Sequence, residues 1–403
     1  MTKIEIIKVE EQSDSLLTPK RFKVGNNTIQ TPFKPIDFND SPGINRLKNI
    51  RLVHVGDNPI IERSKFVNLD TYENAINDSS VGYLKESYQY LRNIPIFKEK
   101  ILLNTITFTF NPLSIKKSYD KLSSFLNIYY DRSDFLFIPN VKIISYIDKK
   151  KHQIMSYDEY INYIDSAYEN LSFKNRKPIF VPISLKLGVL QCQEMFKKFL
   201  DMGYRKFWFD FEGSGSLAFA ANIRSFHKII DKPGLIDEVI FYATNIRREK
   251  NPHPPDDSCG ASDILSAPLG VDFVGVNRSP KRRGGGDIPP PQNVLVEHKA
   301  RFLDRSTYNY VKYCKSQNKN AIYSEYQIND NLIWNYPKFL SNYTNSFELN
   351  KEFDIQRDIV RSDESVIEYL GQKEAVQPED LKQFVKIISG KSKGENANLD
   401  DWM

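Results

Sequence analysis

Residues 177–280 constrain the fold most. They read KPIFVPISLKLG (177–188), QCQEMFKKFLDMGYRKFWFDFEGSGS (191–216), GLIDEVIFYATN (234–245) and SDILSAPLGVDFVGVNRSP (262–280). Short apolar runs rich in Val, Ile, Phe and Trp each end in Gly, Pro, Ser or Asn, which is the pattern of strands buried on both faces. Between two of them, Cys192, Met195, Phe196, Phe199 and Leu200 fall at helical spacing, so 189–202 is expected to be a helix with Lys197 and Lys198 outside. The result is a βαβαβ unit. Right-handed crossovers of this kind build either a doubly wound sheet or a (β/α)8 barrel, and both carry their ligands at the carboxyl ends of the strands. The residues at those ends are Lys186, Asp210, Glu212, Gly213, Thr244, Asn245, Asn277 and Arg278, with Asp272 just before them on the last run.

The same alternation continues upstream. Strands are expected near 50–56, 101–110, 134–139, 179–185, 206–211, 238–243 and 271–276, with an eighth candidate near 62–70. That count favours an α/β fold of the (β/α)8 TIM type. Helices are expected near 84–91, over 113–127 and over 156–171, where Ser156 and Glu159 have capping-box spacing. Residues 20–37 read as a β-hairpin turning at Gly25-Asn26-Asn27. After 278 the pattern loosens: GGGDIPPPQN (284–293) is a loop, 298–317 should hold a helix, and 378–391 reads as a helix opened by Pro378 and closed by Gly390. The chain therefore divides into an N-terminal hairpin and lead-in (1–45), the barrel (46–310), a small helical appendage (311–392) and a disordered tail (393–403).

Bulk properties narrow the class. No apolar run approaches the roughly 20 residues of a membrane span, and the first residues carry no signal-peptide pattern. Three scattered cysteines argue for a reducing, cytoplasmic compartment and against a disulfide framework. With five histidines and no metal-ligand spacing, no metal or cofactor is expected. The net charge of +5 is mild. Its local density is informative: Arg247 and Arg248 follow one strand, and Arg278, Lys281, Arg282 and Arg283 follow another. Such clusters either track a nucleic-acid backbone or are solvated loops.

Several of these pieces, in this order, resemble the tRNA-guanine transglycosylase superfamily, whose members exchange a guanine in a polynucleotide for a 7-deazaguanine base. KRFKVGNNTIQTPFKP resembles its N-terminal hairpin, SLKLGVLQCQEMFKKFLDMGYRKFWFDFEGSGS its fifth strand, helix and sixth strand, and DILSAPLGVDFVGVNRSP the segment entering its last barrel strand. The resemblance spans roughly residues 20–310 and implies tRNA or DNA as partner, a 7-deazaguanine-type base as ligand, and a pentosyltransferase activity. It leaves a homo- or heterodimer open.

The departures are chemical. The family's nucleophilic aspartate falls on Gly275, its second acid near Asn104, and its base-reading acid near Asn140. Of its cysteine zinc cluster only Cys314 remains. An amide can hydrogen-bond a base edge but cannot act as a base. If the chain is catalytic, Asp210, Glu212 or Asp272 must supply the carboxylate that base exchange needs. Asp210 and Glu212, two apart on a strand end, are expected to face one side, with a helix cap or a salt bridge to Arg205 or Lys206 as the alternative. Gly213 and Gly215 either let a flat base approach the backbone or form a plain turn. Lys186, Asn104, Asn140 and Asn277 are the remaining candidates for substrate binding. Three readings stay open: a rewired transglycosylase, a non-catalytic homologue that binds nucleic acid or a partner subunit, and an unrelated barrel enzyme for a phosphorylated small molecule.

Overall fold

The computed structural model describes residues 4–9, 14–24, 27–39, 58–77, 97–147, 150–174, 176–248, 258–277, 300–312, 325–326 and 335–389. The strand expected at 50–56, the helix at 84–91, the hairpin tip Gly25-Asn26, the loop 284–293 and the tail lie outside these residues.

The chain opens with β1 (Ile4–Val9), β2 (Lys20–Val24) and β3 (Asn27–Gln30), an antiparallel sheet in that order. There follow β4 (Ile36–Asp37), β5 (Ile60–Val67), helix α1 (Leu69–Asn77), β6 (Ile101–Phe108), α2 (Ser118–Arg132), β7 (Phe135–Phe137) and β8 (Asn140–Val141). An antiparallel ribbon, β9 (Ile144–Ile147) and β10 (Lys150–Gln153), leads to α3 (Tyr157–Ser172). Next come β11 (Ile179–Ile183), α4 (Val189–Asp201), β12 (Lys206–Asp210), α5 (Ala220–Asp231), β13 (Ile240–Thr244), β14 (Ser258–Gly260) and β15 (Phe273–Val274). The C-terminal part holds the hairpin β16 (Arg301–Asp304) and β17 (Asn309–Lys312), then α6 (Pro337–Arg361), α7 (Val366–Gly371) and α8 (Pro378–Ser389).

β15, β13, β12, β11, β7, β6, β5 and β4 neighbour one another in that order, all parallel, in one curled sheet. It is a TIM-like half-barrel of eight strands with helices on its convex face. All eight residues of β6 and all five of β13 are buried, as strands covered on both faces must be. In α4 the buried residues are Cys192, Met195, Phe196, Phe199 and Leu200, the stripe that the periodicity marks. α3 starts with the full capping box of Ser156 and Glu159.

The concave face is aromatic at the N-terminal ends of the strands. Phe137 stacks on Phe180 at 4.6 Å, and Tyr242 on Phe273 at 5.6 Å. Phe22, Val24 and Ile29 of the N-terminal strands join this cluster and close its floor. Each such ring pair adds about 0.5–1.5 kcal/mol beyond area burial.

Two local expectations are corrected. The described part of 298–317 is a hairpin, not a helix. The Asp304 carboxylate accepts from the backbone N–H and hydroxyl of Ser306, and Tyr308 N–H donates to Asp304 O, so a polar side chain closes a turn where a helix would need continuous backbone pairing. The helix expected at 113–127 begins only at Ser118, because Lys117 adopts a left-handed conformation (φ 55°) that interrupts it. α6 packs on β4, so the C-terminal segment forms part of the wall around the sheet. Asn350 both accepts from Lys34 N–H and donates to Lys34 O.

Candidate active site

The strand ends after Asp210 and Thr244 are laced together: Phe211 N–H donates to Thr244 O, Gly213 N–H to Asn245 O, and Asn245 N–H to Val276 O. Glu212 (φ 49°) and Asn245 (φ 54°) both sit in the left-handed region. For a glutamate that conformation costs roughly 1–3 kcal/mol, and such strain collects at functional sites. Gly213 follows at φ 78°, which only glycine adopts freely.

Two buried carboxylates occupy successive layers of the concave face. In the upper layer Asp210, 4% exposed, accepts from Thr107 Oγ1 at 3.0 Å, from Asn245 Nδ2 at 2.9 Å and from Glu212 N–H at 2.8 Å. In the deeper layer Glu62, 0% exposed, accepts from Thr105 Oγ1 at 2.9 Å, Tyr242 OH at 2.5 Å and Val276 N–H at 2.8 Å. Thr105 and Thr107 lie two residues apart on β6, hence on one face and roughly 6.6 Å apart along the strand. Burial pushes the Glu62 carboxyl above its ordinary range, and its hydrogen bonds and Lys34 oppose this. Neither Asp210 nor Glu62 has an ion-pair partner among the described residues; every donor in contact with them is neutral.

Glu212 is half-buried. Its carboxylate is 3.9 Å from Lys142 Nζ and makes no contact with Arg205, which pairs with Glu238 instead. Burial raises its pKa, Asp210 adds to that, and Lys142 and Lys186 pull it down. The strand ends at Asp210, so the expected strand geometry of the pair is replaced by a turn in which Glu212 backbone N–H binds Asp210. The two acids still meet at one mouth. Lys186 is exposed there, its ammonium over the Phe219 ring at 5.2 Å.

Asn140 pairs with Thr107 across the sheet. Its Oδ1 accepts from Tyr160 OH at 2.9 Å, and its amide nitrogen has no partner among the described residues. Asn104 is not at this site. The two-residue strand period turns it to the convex face, where its Nδ2 donates to Ser133 Oγ at 2.8 Å. Asp272 is removed from the mouth as well. It sits at the floor, paired with Lys20 Nζ at 2.9 Å and accepting from Phe241 N–H at 2.8 Å, so it latches strand β2 to the curled sheet.

Gly275 has a steric reason. A Cβ there would come within 2.6 Å of the Tyr242 ring, 2.8 Å of Thr244 Cγ2 and 2.9 Å of Glu62 Oε2. Glu62, arriving from β5, fills the space that a side chain at 275 would need. Lys34 Nζ, itself buried, donates to Gly275 O at 2.5 Å. Burial lowers the Lys34 pKa, while Asp263, Glu62 and Asp37 oppose the shift. Asp263 accepts from Tyr310 OH with both oxygens at 3.1 Å, and burial pushes it up to about 6 against the pull of Lys34 and Arg248.

The basic residues divide. Arg248 is committed inside the protein: Nη1 donates to Asn342 Oδ1 at 2.9 Å and its guanidinium lies 4.9 Å above the Tyr310 ring. Arg247 is exposed and donates through Nε to Gly213 O at 3.0 Å. Asn277 is half-buried beyond β15; Arg278, Lys281, Arg282 and Arg283 lie outside the described residues. A cleft of about 310 Å³ adjoins the mouth, and Gly215, Ser216 and Arg247 help line it. Among the described residues no group of His, Cys, Asp and Glu is arranged to hold a metal, and no helix is long and apolar enough to cross a membrane.

Glu62, Lys34, Thr105, Thr107, Tyr242 and Asp263 are absent from the sequence-derived candidates. The signal for the first was present: Glu62 stands two residues from Ile60 in a run of strand character, a charge in a core register. No family model matches the chain, and no curated protein matches it.

Proposed function

We propose that the chain is a base-exchange enzyme of the transglycosylase type, acting on a nucleic acid with Asp210 and Glu212 as its working acids. The observation that carries this reading is the buried Asp210 carboxylate at the mouth, held among the described residues by neutral donors alone. Breaking a glycosidic C–N bond develops positive charge at C1′, and a carboxylate whose charge no lysine or arginine cancels is suited to stabilise it. Glu212, with its pKa raised by burial, gives a proton to the departing guanine and takes one from the incoming base as the new C–N bond forms. The Asn140 amide nitrogen is suited to donate to an acceptor on the base edge. Lys186 and Arg247 attract the phosphate backbone. Glu62 takes the volume of the aspartate expected at 275 and holds Val276 through its backbone, acting as a positioning residue.

A full (β/α)8 barrel is part of this proposal. A parallel bridge joins Phe33 to Phe273, with Phe33 N–H donating to Asp272 O and Val274 N–H to Phe33 O. Extending the registers from Phe33 strand by strand reaches Leu265, eight residues short of Phe273, which is the offset of a closed TIM barrel.

The test offers labelled guanine, or a labelled 7-deazaguanine, with bulk tRNA and with duplex DNA. Label enters one polymer with the wild type and not with Asp210→Asn. A second reading, a nucleic-acid-binding scaffold without turnover, is favoured by Gly275 and by the complete burial of Glu62. It predicts tight, salt-sensitive binding with no incorporation in either polymer, which would sink the enzymatic reading.

A further inference from the structure

Glu212 carries two demands in the proposed exchange: it lets a proton go and takes one back. Its immediate surroundings oppose the release. The side chain is half-buried, and the Asp210 carboxylate lies in the same turn, where its Oδ1 accepts from the Glu212 backbone N–H at 2.8 Å. Both hold the proton on Glu212, burial more strongly than Asp210.

Three cations face this turn from other elements. Lys142 follows β8, and its backbone N–H donates to Phe108 O at the end of β6. Its ammonium lies 5.1 Å from the centre of the Phe66 ring on β5 and 3.9 Å from Glu212 Oε2. Lys186, after β11, is exposed; it acts on Glu212 from beside the Phe219 ring. Arg247, after β13, turns its Nε to Gly213 O instead. Lys142 is therefore the one cation in ion-pair reach of Glu212 among the described residues. Its side chain is 24% exposed and that of Glu212 18%, so water screens the pair less than it would at an open surface. The supports on three strands fix where the ammonium stands.

We propose that Lys142 is the positioning residue of Glu212, drawing its carboxylate form to the mouth so that the proton passes to the departing base and returns from the incoming one. The departing base leaves with the electron pair of the C1′–N bond and the Glu212 proton. The incoming base gives an electron pair to C1′ and its N–H proton to the Glu212 carboxylate. Lys142 touches no reacting atom. Without it, burial and the Asp210 charge keep the proton in place, and the carboxyl is too weak an acid to release it. This role in exchange rests on the base-exchange reading; the hold of Lys142 on the Glu212 proton does not.

The experiment follows the Glu212 carboxyl by ¹³C NMR in the full chain labelled at glutamate, with Glu212→Gln marking its resonance. The wild type, Lys142→Met, Lys142→Arg and Lys186→Met are compared, each checked for an unchanged melting profile, and base exchange is measured over the same pH range. Lys142→Met moves the titration midpoint up by about one pH unit. Lys142→Arg restores it, and Lys186→Met moves it less. The falling limb of the exchange rate moves with the midpoint, because only protonated Glu212 serves the departing base. An unmoved midpoint in Lys142→Met, an arginine that does not restore it, or a larger shift in Lys186→Met each overturn the assignment. A moved midpoint with an unmoved exchange profile overturns the role in exchange. A moved midpoint in a protein that exchanges no base sinks the enzymatic reading and leaves the hold of Lys142 on Glu212 standing.

Discussion

The floor and the mouth of the curled sheet both bury carboxylates, one at the floor and two at the mouth, and they treat them oppositely. At the floor Asp272 meets the Lys20 ammonium at 2.9 Å within an aromatic cluster, and its charge is cancelled. At the mouth, among the described residues, Asp210 and Glu62 meet hydroxyls, an amide and backbone N–H groups only. Neutral donors satisfy the lone pairs there and bring no opposite charge. The floor is arranged to hold strand β2 in place. The mouth offers Asp210, without an ion-pair partner among the described residues, to the cationic centre that the proposed base exchange would form.

This contrast can be broken from either end. The largest expected effect is at the floor. Lys20→Met leaves Asp272 buried and unpaired and should cost about 3–5 kcal/mol in urea unfolding. An unchanged midpoint would remove the latch. At the mouth, Asp210→Asn keeps the shape and should lower the proposed base exchange by about 10²–10³ while moving stability by no more than about 1 kcal/mol; a loss of stability like that of Lys20→Met would make Asp210 a structural residue too.

Asp263 gives an effect of similar size that depends on pH. Its folded value of about 6 lies above the ordinary 3.8, so its contribution to stability is full below pH 3.8 and is lost as pH rises through 6. That amounts to on the order of 3 kcal/mol. The stability of the wild type relative to Asp263→Asn should therefore fall between pH 4 and 6.5, and a constant difference across that window contradicts the burial argument.

Gly275→Ala should destabilise by about 1–3 kcal/mol through overpacking, and by less in a Glu62→Ala background, where the crowding oxygen is gone. Additive costs would mean that Glu62 does not occupy the space at 275.

Much of this was legible in the chain. The strands over 179–183, 206–210 and 240–244 are short continuous apolar runs, the helix over 189–201 is a pattern of period 3.6, and both follow from which residues must leave water. Asp210, Glu212 and Gly213 stand at a strand end, so a parallel sheet puts them at its mouth. The hairpin over 301–312 was not legible, because its turn depends on the Asp304 side chain rather than on periodicity. Asn104 and Asp272 read as site residues because sequence order gives no depth: a one-residue step sends Asn104 to the convex face, and Asp272 enters its strand at the opposite end from the acids.

The sequence by itself determined the parallel α/β sheet, the end at which polar residues collect, and the absence of a side chain at 275. Only the tertiary structure decided that Glu62 fills that absence and that Asp210 lies beside Thr107. The physical reason is distance along the chain. Glu62 meets Tyr242 and Val276, and Asp210 meets Thr107, through closure of the sheet, and no local pattern encodes which residues such closure brings to within hydrogen-bond reach.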